Sequence, residues 1–166
     1  STQLTMRATP NELPAGVCRQ VEGIAMVYGV VDSWGTTFAK GCLDRTVRER
    51  VAARKVKLYF DHGDVVLSGM YDTHLHIGTV TDVWDAVTDD GHACSMFRAD
   101  IFDTAPGRTA HEYLTAIAQT RSETGVSIGM MDEPKTTRAV VAGVSCDQVT
   151  EAALREISVT GESSVP

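Results

Sequence analysis

At 166 residues the chain is sized for one well-filled core, since domains commonly run to about 100–150 residues, and a single domain over 1–166 is expected. Hydrophobic residues at 43% and charged residues at 22% match a globular chain and exclude a disordered or fibrous one. A formal charge of −7, from 22 acidic and 15 basic residues, sets the overall field against nucleic acid, and no apolar run nears the roughly 20 residues that span a bilayer, so neither partner is expected.

Residues 1–16, with Pro10, Pro14 and Gly16, read as an irregular lead-in. Residues 21–31 form an apolar strand that bends around Gly23 and Gly29, and a turn-rich loop follows over 32–41. Leu43, Val47 and Val51 then recur at helical spacing through a charged stretch, which predicts a short surface helix. A β-prone run at 56–60 ends in Asp61-His62-Gly63-Asp64. Residues 77–87 and 93–101 read as a hairpin around Asp89-Asp90-Gly91. The strongest helical pattern covers 109–121, where Ala110, Tyr113, Leu114 and Ile117 share a face and Gly125 lies beyond as a stop. Strands are predicted at 126–131, 137–144 and 154–160, with a helical turn over 147–153. Six or seven strands with few helices imply an α+β or mainly β fold, a small closed β-barrel with flanking helices. Ser1 in place of methionine and the short tail 161–166 read as ends of a processed or trimmed chain.

Cys18, Cys42, Cys94 and Cys146 are far apart with no CxxC pair, which argues against a zinc ribbon or redox dithiol and for buried thiols in a reducing cytoplasm. His74-Leu75-His76 offers half of a metal site, but the other ligands would have to come from His92, His111 or carboxylates that no ligand spacing brings together. Asp82, Asp85, Asp89 and Asp90 lack the spacing of a calcium loop and read as a solvated hairpin. No phosphate loop or dinucleotide fingerprint occurs, and no cofactor is expected.

Gly125-Val126-Ser127-Ile128-Gly129 matches the G-x-S-x-G nucleophile elbow of α/β-hydrolases, yet the setting is wrong. The elbow runs directly into a helix, whereas the residues after Ser127 include Pro134 and no apolar helical stripe. In that fold the histidine follows the serine, whereas here His62, His74, His76, His92 and His111 all precede it. A serine hydroxyl needs a base within hydrogen-bond reach, and His62, at a strand end in a Gly/Asp-rich turn, is the leading candidate beside Ser127.

Four segments carry a family resemblance: Gly29 through Gly41; Val56-Lys57-Leu58-Tyr59-Phe60-Asp61-His62; Ser122 through Met130 after a helix; and Leu154-Arg155-Glu156-Ile157-Ser158-Val159. In that order they resemble the prohead maturation proteases of tailed bacteriophages, which are similar in fold to the herpesvirus capsid assembly proteases, the assemblins. The resemblance implies a serine endopeptidase that cleaves scaffold protein, major capsid protein and itself inside the procapsid, in the cytoplasm of a bacterial host. It implies His62 as base, Ser127 as nucleophile and a third member on the closing strand, for which Glu156 is chosen, with Asp61 and Asp64 as fallbacks. Herpesvirus relatives use a second histidine there. This chain has none after Ser127, so either a carboxylate takes the place or the third member is weak. The herpesvirus relatives also imply a homodimer. Two other readings stand beside this one: a catalytically silent scaffold or capsid-assembly module of the same fold, and a metal-dependent hydrolase centred on His74 and His76.

Overall fold

The computed structural model describes residues 5–7, 13–60, 76–120 and 124–160. Ten strands and two helical segments make up these parts of the chain. In chain order they are β1 (Thr5–Arg7), β2 (Val17–Val27), β3 (Thr36–Phe38), α1 (Asp44–Thr46), β4 (Lys57–Phe60), β5 (His76–Val87), β6 (Ala93–Phe102), α2 (Ala105–Thr120), β7 (Gly125–Met130), β8 (Lys135–Val141), β9 (Val144–Glu151) and β10 (Leu154–Thr160). Helix α1 continues into a widened π-type turn, Val47–Val51, in which Ala52 N–H reaches back to the Val47 carbonyl at 3.1 Å.

Seven strands form one sheet in the order β1-β2-β6-β5-β4-β10-β7, and β3-β9-β8 form a second. The larger sheet curls until β7 comes back against β2, although the hydrogen-bonded ladder does not close there among the described residues. This is the mainly β, barrel-like architecture with flanking helices that the strand count implied. Alternation in β6 shows how the sheet acquires its core face: Phe97, Ala99 and Ile101 are buried, while Met96, Arg98 and Asp100, each one residue before, are partly exposed. Leu58, Val80, Val83, Val126, Ile157 and Val159 join the first set in one hydrophobic cluster, with Leu114 of α2 against it.

Several sequence expectations are corrected. The lead-in contains β1, which pairs antiparallel with Gln20–Glu22 of β2. Strand β2 begins at Val17 and ends at Val27, where Gly29, at φ 70°, turns the chain. The loop over 32–41 contains β3. Helix α2 starts at Ala105, earlier than its apolar stripe indicates, because Thr104 caps it by accepting the Gly107 N–H at 3.2 Å and Pro106 is tolerated in a first turn. The strand expected over 137–144 is broken by a turn at Ala142-Gly143, and the helical turn expected over 147–153 is the strand β9, fixed by ladders to β3 and β8 on its two sides. Gly125, the stop signal expected beyond α2, is the first residue of β7.

Candidate active site

Strand β10 runs between β4, to which it is parallel, and β7, to which it is antiparallel. Register sets the faces. Ile157 is opposite Leu58 and Ile128, and Val159 is opposite Phe60 and Val126, so these six belong to the core face. The far face carries the other parity: Lys57 and Tyr59 of β4, Glu156 and Ser158 of β10, and Ser127 and Gly129 of β7. Ser127 and Ser158 are direct register partners, and Glu156 is opposite Gly129.

Strict alternation through β10 would put Leu154 on the Glu156 face. It does not, because a β-bulge intervenes: Leu154 is opposite Met130 and Glu156 opposite the very next residue, Gly129, leaving Arg155 as the extra residue. Leu154 therefore enters the core, and Glu156 turns to the face that holds Ser127. The bulge is pinned from outside the sheet. The Thr46 hydroxyl donates to the Ala152 carbonyl at 3.1 Å and accepts the Leu154 N–H at 2.9 Å, and Arg50 Nε donates to the Leu154 carbonyl at 2.8 Å.

Glu156 and Ser158 are buried, at 2% and 0% exposure, and the Ser158 hydroxyl donates to Glu156 Oε2. Ser127 is partly exposed. A partly exposed serine, with a sheltered carboxylate on the adjacent strand and the same face, is an arrangement suited to nucleophilic catalysis once a base joins it. His62 lies outside the described residues, as do Asp61 and Asp64. The strand leading to them, β4, is the other neighbour of β10, and Phe60, two residues before His62, is opposite Val159.

His74 is also outside the described residues. His76 has its ring between Tyr59 and Phe102, at centroid distances of 5.6 and 5.1 Å, while His92 lies beside Asp90 and His111 is on α2 beside Thr115. Among the described residues no three His, Cys, Asp or Glu side chains gather as a metal site. Asp82 is beside Arg98, Asp85 accepts the Tyr28 hydroxyl at 3.0 Å, and Asp89 and Asp90 lie exposed in the β5–β6 turn. The four thiols are unbridged. Burial pushes the Cys42 thiol up to about 11 and raises Cys18 and Cys94, so these three are held as neutral thiols rather than as thiolate nucleophiles. Ser158 and Gly129, to which the sequence assigns no role, share this face with the candidate residues Ser127 and Glu156, and their i, i+2 spacing from Glu156 and Ser127 is the available signal.

This curled, mainly β sheet with flanking helices is a fold shared with a bacteriophage capsid assembly protease. Among solved structures the chain is similar to the capsid assembly protease of bacteriophage T4, with a TM-score of 0.52 and 16% identity over 96% of this chain and 98% of that one. At that identity the likeness is one of fold. No protein-family model matches the sequence, and no curated protein does.

Proposed function

We propose that the chain is a serine endopeptidase of procapsid maturation, acting on scaffold protein, on the major capsid protein and on itself. One observation carries this reading: Ser127 and Glu156 share a face on adjacent strands, beside the strand that leads to His62, in a fold similar to that of a capsid assembly protease. Ser127 attacks the scissile carbonyl, and His62 takes its proton and passes it to the leaving amine. Glu156 orients the imidazole and stabilises its charged form, while backbone N–H groups receive the oxyanion. The substrate binds as an extended segment, a mode that suits β proteins. The site of action is the procapsid interior within the host cytoplasm, and among the described residues no helix is long and apolar enough to cross a membrane.

The test is cleavage of purified scaffold protein, together with labelling by a fluorophosphonate. The parent chain should cleave and become labelled on Ser127, while Ser127→Ala should do neither. A Ser127→Ala protein that processes scaffold at the parent's rate would eliminate Ser127 as nucleophile and favour the silent assembly module.

A further inference from the structure

The second glycine of Gly125-Val126-Ser127-Ile128-Gly129 has no turn to make. It lies inside β7, and its φ is not in the left-handed region that favours glycine. What matters is the missing side chain. A Cβ on Gly129 would stand 2.5 Å from Glu156 Oε1 and 2.8 Å from Glu156 Cγ, so the glutamate lies over the glycine backbone in the space any other residue would fill. From another direction Ser158, two residues along the same face, donates its hydroxyl to Oε2. The Arg155 guanidinium is exposed and 3.9 Å away, too far for a hydrogen bond.

A carboxylate 2% exposed in a strand is a poor choice for stability alone, because desolvation opposes it and an apolar residue would fill the volume better. Glycine inside a strand is a second unfavourable choice. Both occur at one register pair, next to the serine of the site. We infer that Gly129 and Ser158 are positioning residues, which hold the Glu156 carboxylate in the orientation it needs to act on the catalytic base. This rests on the role proposed for Glu156 above.

The experiment compares Gly129→Ala, Glu156→Asp and their combination, and Ser158→Ala with Ser158→Thr, each checked for folding by circular dichroism and thermal unfolding. Gly129→Ala should lower kcat roughly 100-fold with KM little changed, the scale of a misplacement of about 1 Å. Glu156→Asp should slow the parent by drawing the carboxylate back, and it should not rescue the Gly129→Ala background, because aspartate keeps the Cγ that stands 2.8 Å from the added methyl group. Ser158→Ala should lower kcat about tenfold, the scale of one lost hydrogen bond to a charged group, and move the acidic limb of the kcat/KM profile to lower pH, because an imidazolium with a misaligned carboxylate is less stable. Ser158→Thr should restore both. If Ser127→Ala is inactive but folded Gly129→Ala and Ser158→Ala cleave at the parent's kcat with an unshifted profile, the positioning role is overturned and the protease reading stands. Should Gly129→Ala fail to fold, the two Ser158 variants decide. A parent that neither cleaves nor labels, or a Ser127→Ala variant that cleaves normally, sinks the protease reading and this inference with it.

Discussion

Tyr59 and His76 are register partners across β4 and β5, and their rings meet edge to face with centroids 5.6 Å apart. Phe102 closes on the imidazole from β6, and Nε2 is buried with no hydrogen-bond partner among the described residues. Burial is the main reason the imidazole titrates below its ordinary value; the Lys57 charge adds to it, and a hydrogen bond at the Gly78 backbone opposes it.

A pH dependence of stability follows. The folded protein prefers the neutral ring, whereas the unfolded chain takes up its proton near the usual value of about 6.5. The stabilisation is complete above that pH and is lost as pH falls through it towards the lower folded value. The urea midpoint of the parent should therefore drop between pH 7.5 and pH 5.5 by more than that of His76→Phe, which keeps the ring contacts and removes the titration. Equal drops would show that another group governs the acid response.

The β8–β9 hairpin turns on Ala142 and Gly143, at φ 50° and 79°. Two consecutive residues at positive φ are the pattern of a type I′ turn, which favours Asn-Gly, and an alanine there carries the left-handed penalty of about 1–2 kcal/mol. Ala142→Asn is expected to stabilise the protein by about 0.5–1 kcal/mol, relieving part of that penalty, as read from the denaturant midpoint at unchanged slope. No gain would mean that the turn relaxes away from this conformation in solution.

That turn also shows where the sequence misleads. Ala139 to Val144 is an unbroken apolar run, and nothing in its hydropathy marks the reversal; alanine does not announce positive φ as asparagine would. Beyond it, Asp147 and Gln148 resemble a helix start, and only the ladders to β3 and β8 hold them extended. Strands with internal alternation, such as β6, and the apolar stripe of α2 were legible because a local period reports the buried face directly. Ser127 is a candidate nucleophile through the histidines that precede it and the family resemblance, because its G-x-S-x-G pattern lies in the wrong setting for an elbow. The partnership of Glu156 with Gly129 was not legible, because it depends on a bulge at Arg155 that inverts the alternation of β10. Sequence order alone would have grouped Glu156 with the core residue Leu154.

Thr46 holds that bulge, and its hydroxyl is the shared partner of two backbone groups, the Ala152 carbonyl and the Leu154 N–H. Thr46 is 2% exposed, so water cannot readily replace it. Thr46→Val preserves the shape and strands both groups, which should cost about 2 kcal/mol. Thr46→Ser keeps the hydroxyl and should lose less than about 1 kcal/mol, the share of the missing methyl group. Chemical denaturation of the pair separates the hydrogen bonds from the packing, and equal losses would assign the effect to packing.

Ser127 and Glu156 act in sequence in the proposed reaction, so their losses should not add. The nucleophile is indispensable: Ser127→Ala should lower kcat by about 10⁶-fold, the scale seen when a triad nucleophile is removed. Glu156 works through the base, and Glu156→Gln, which keeps the shape but not the charge, should lower kcat about 10⁴-fold. Once the nucleophile is gone, an oriented base has no proton to take, so the Ser127→Ala/Glu156→Gln protein should be no slower than Ser127→Ala alone. Single-turnover cleavage of one scaffold peptide by the four proteins measures the cycle. A further loss in the double variant would mean that Glu156 contributes by a route independent of Ser127, and would remove it from the triad.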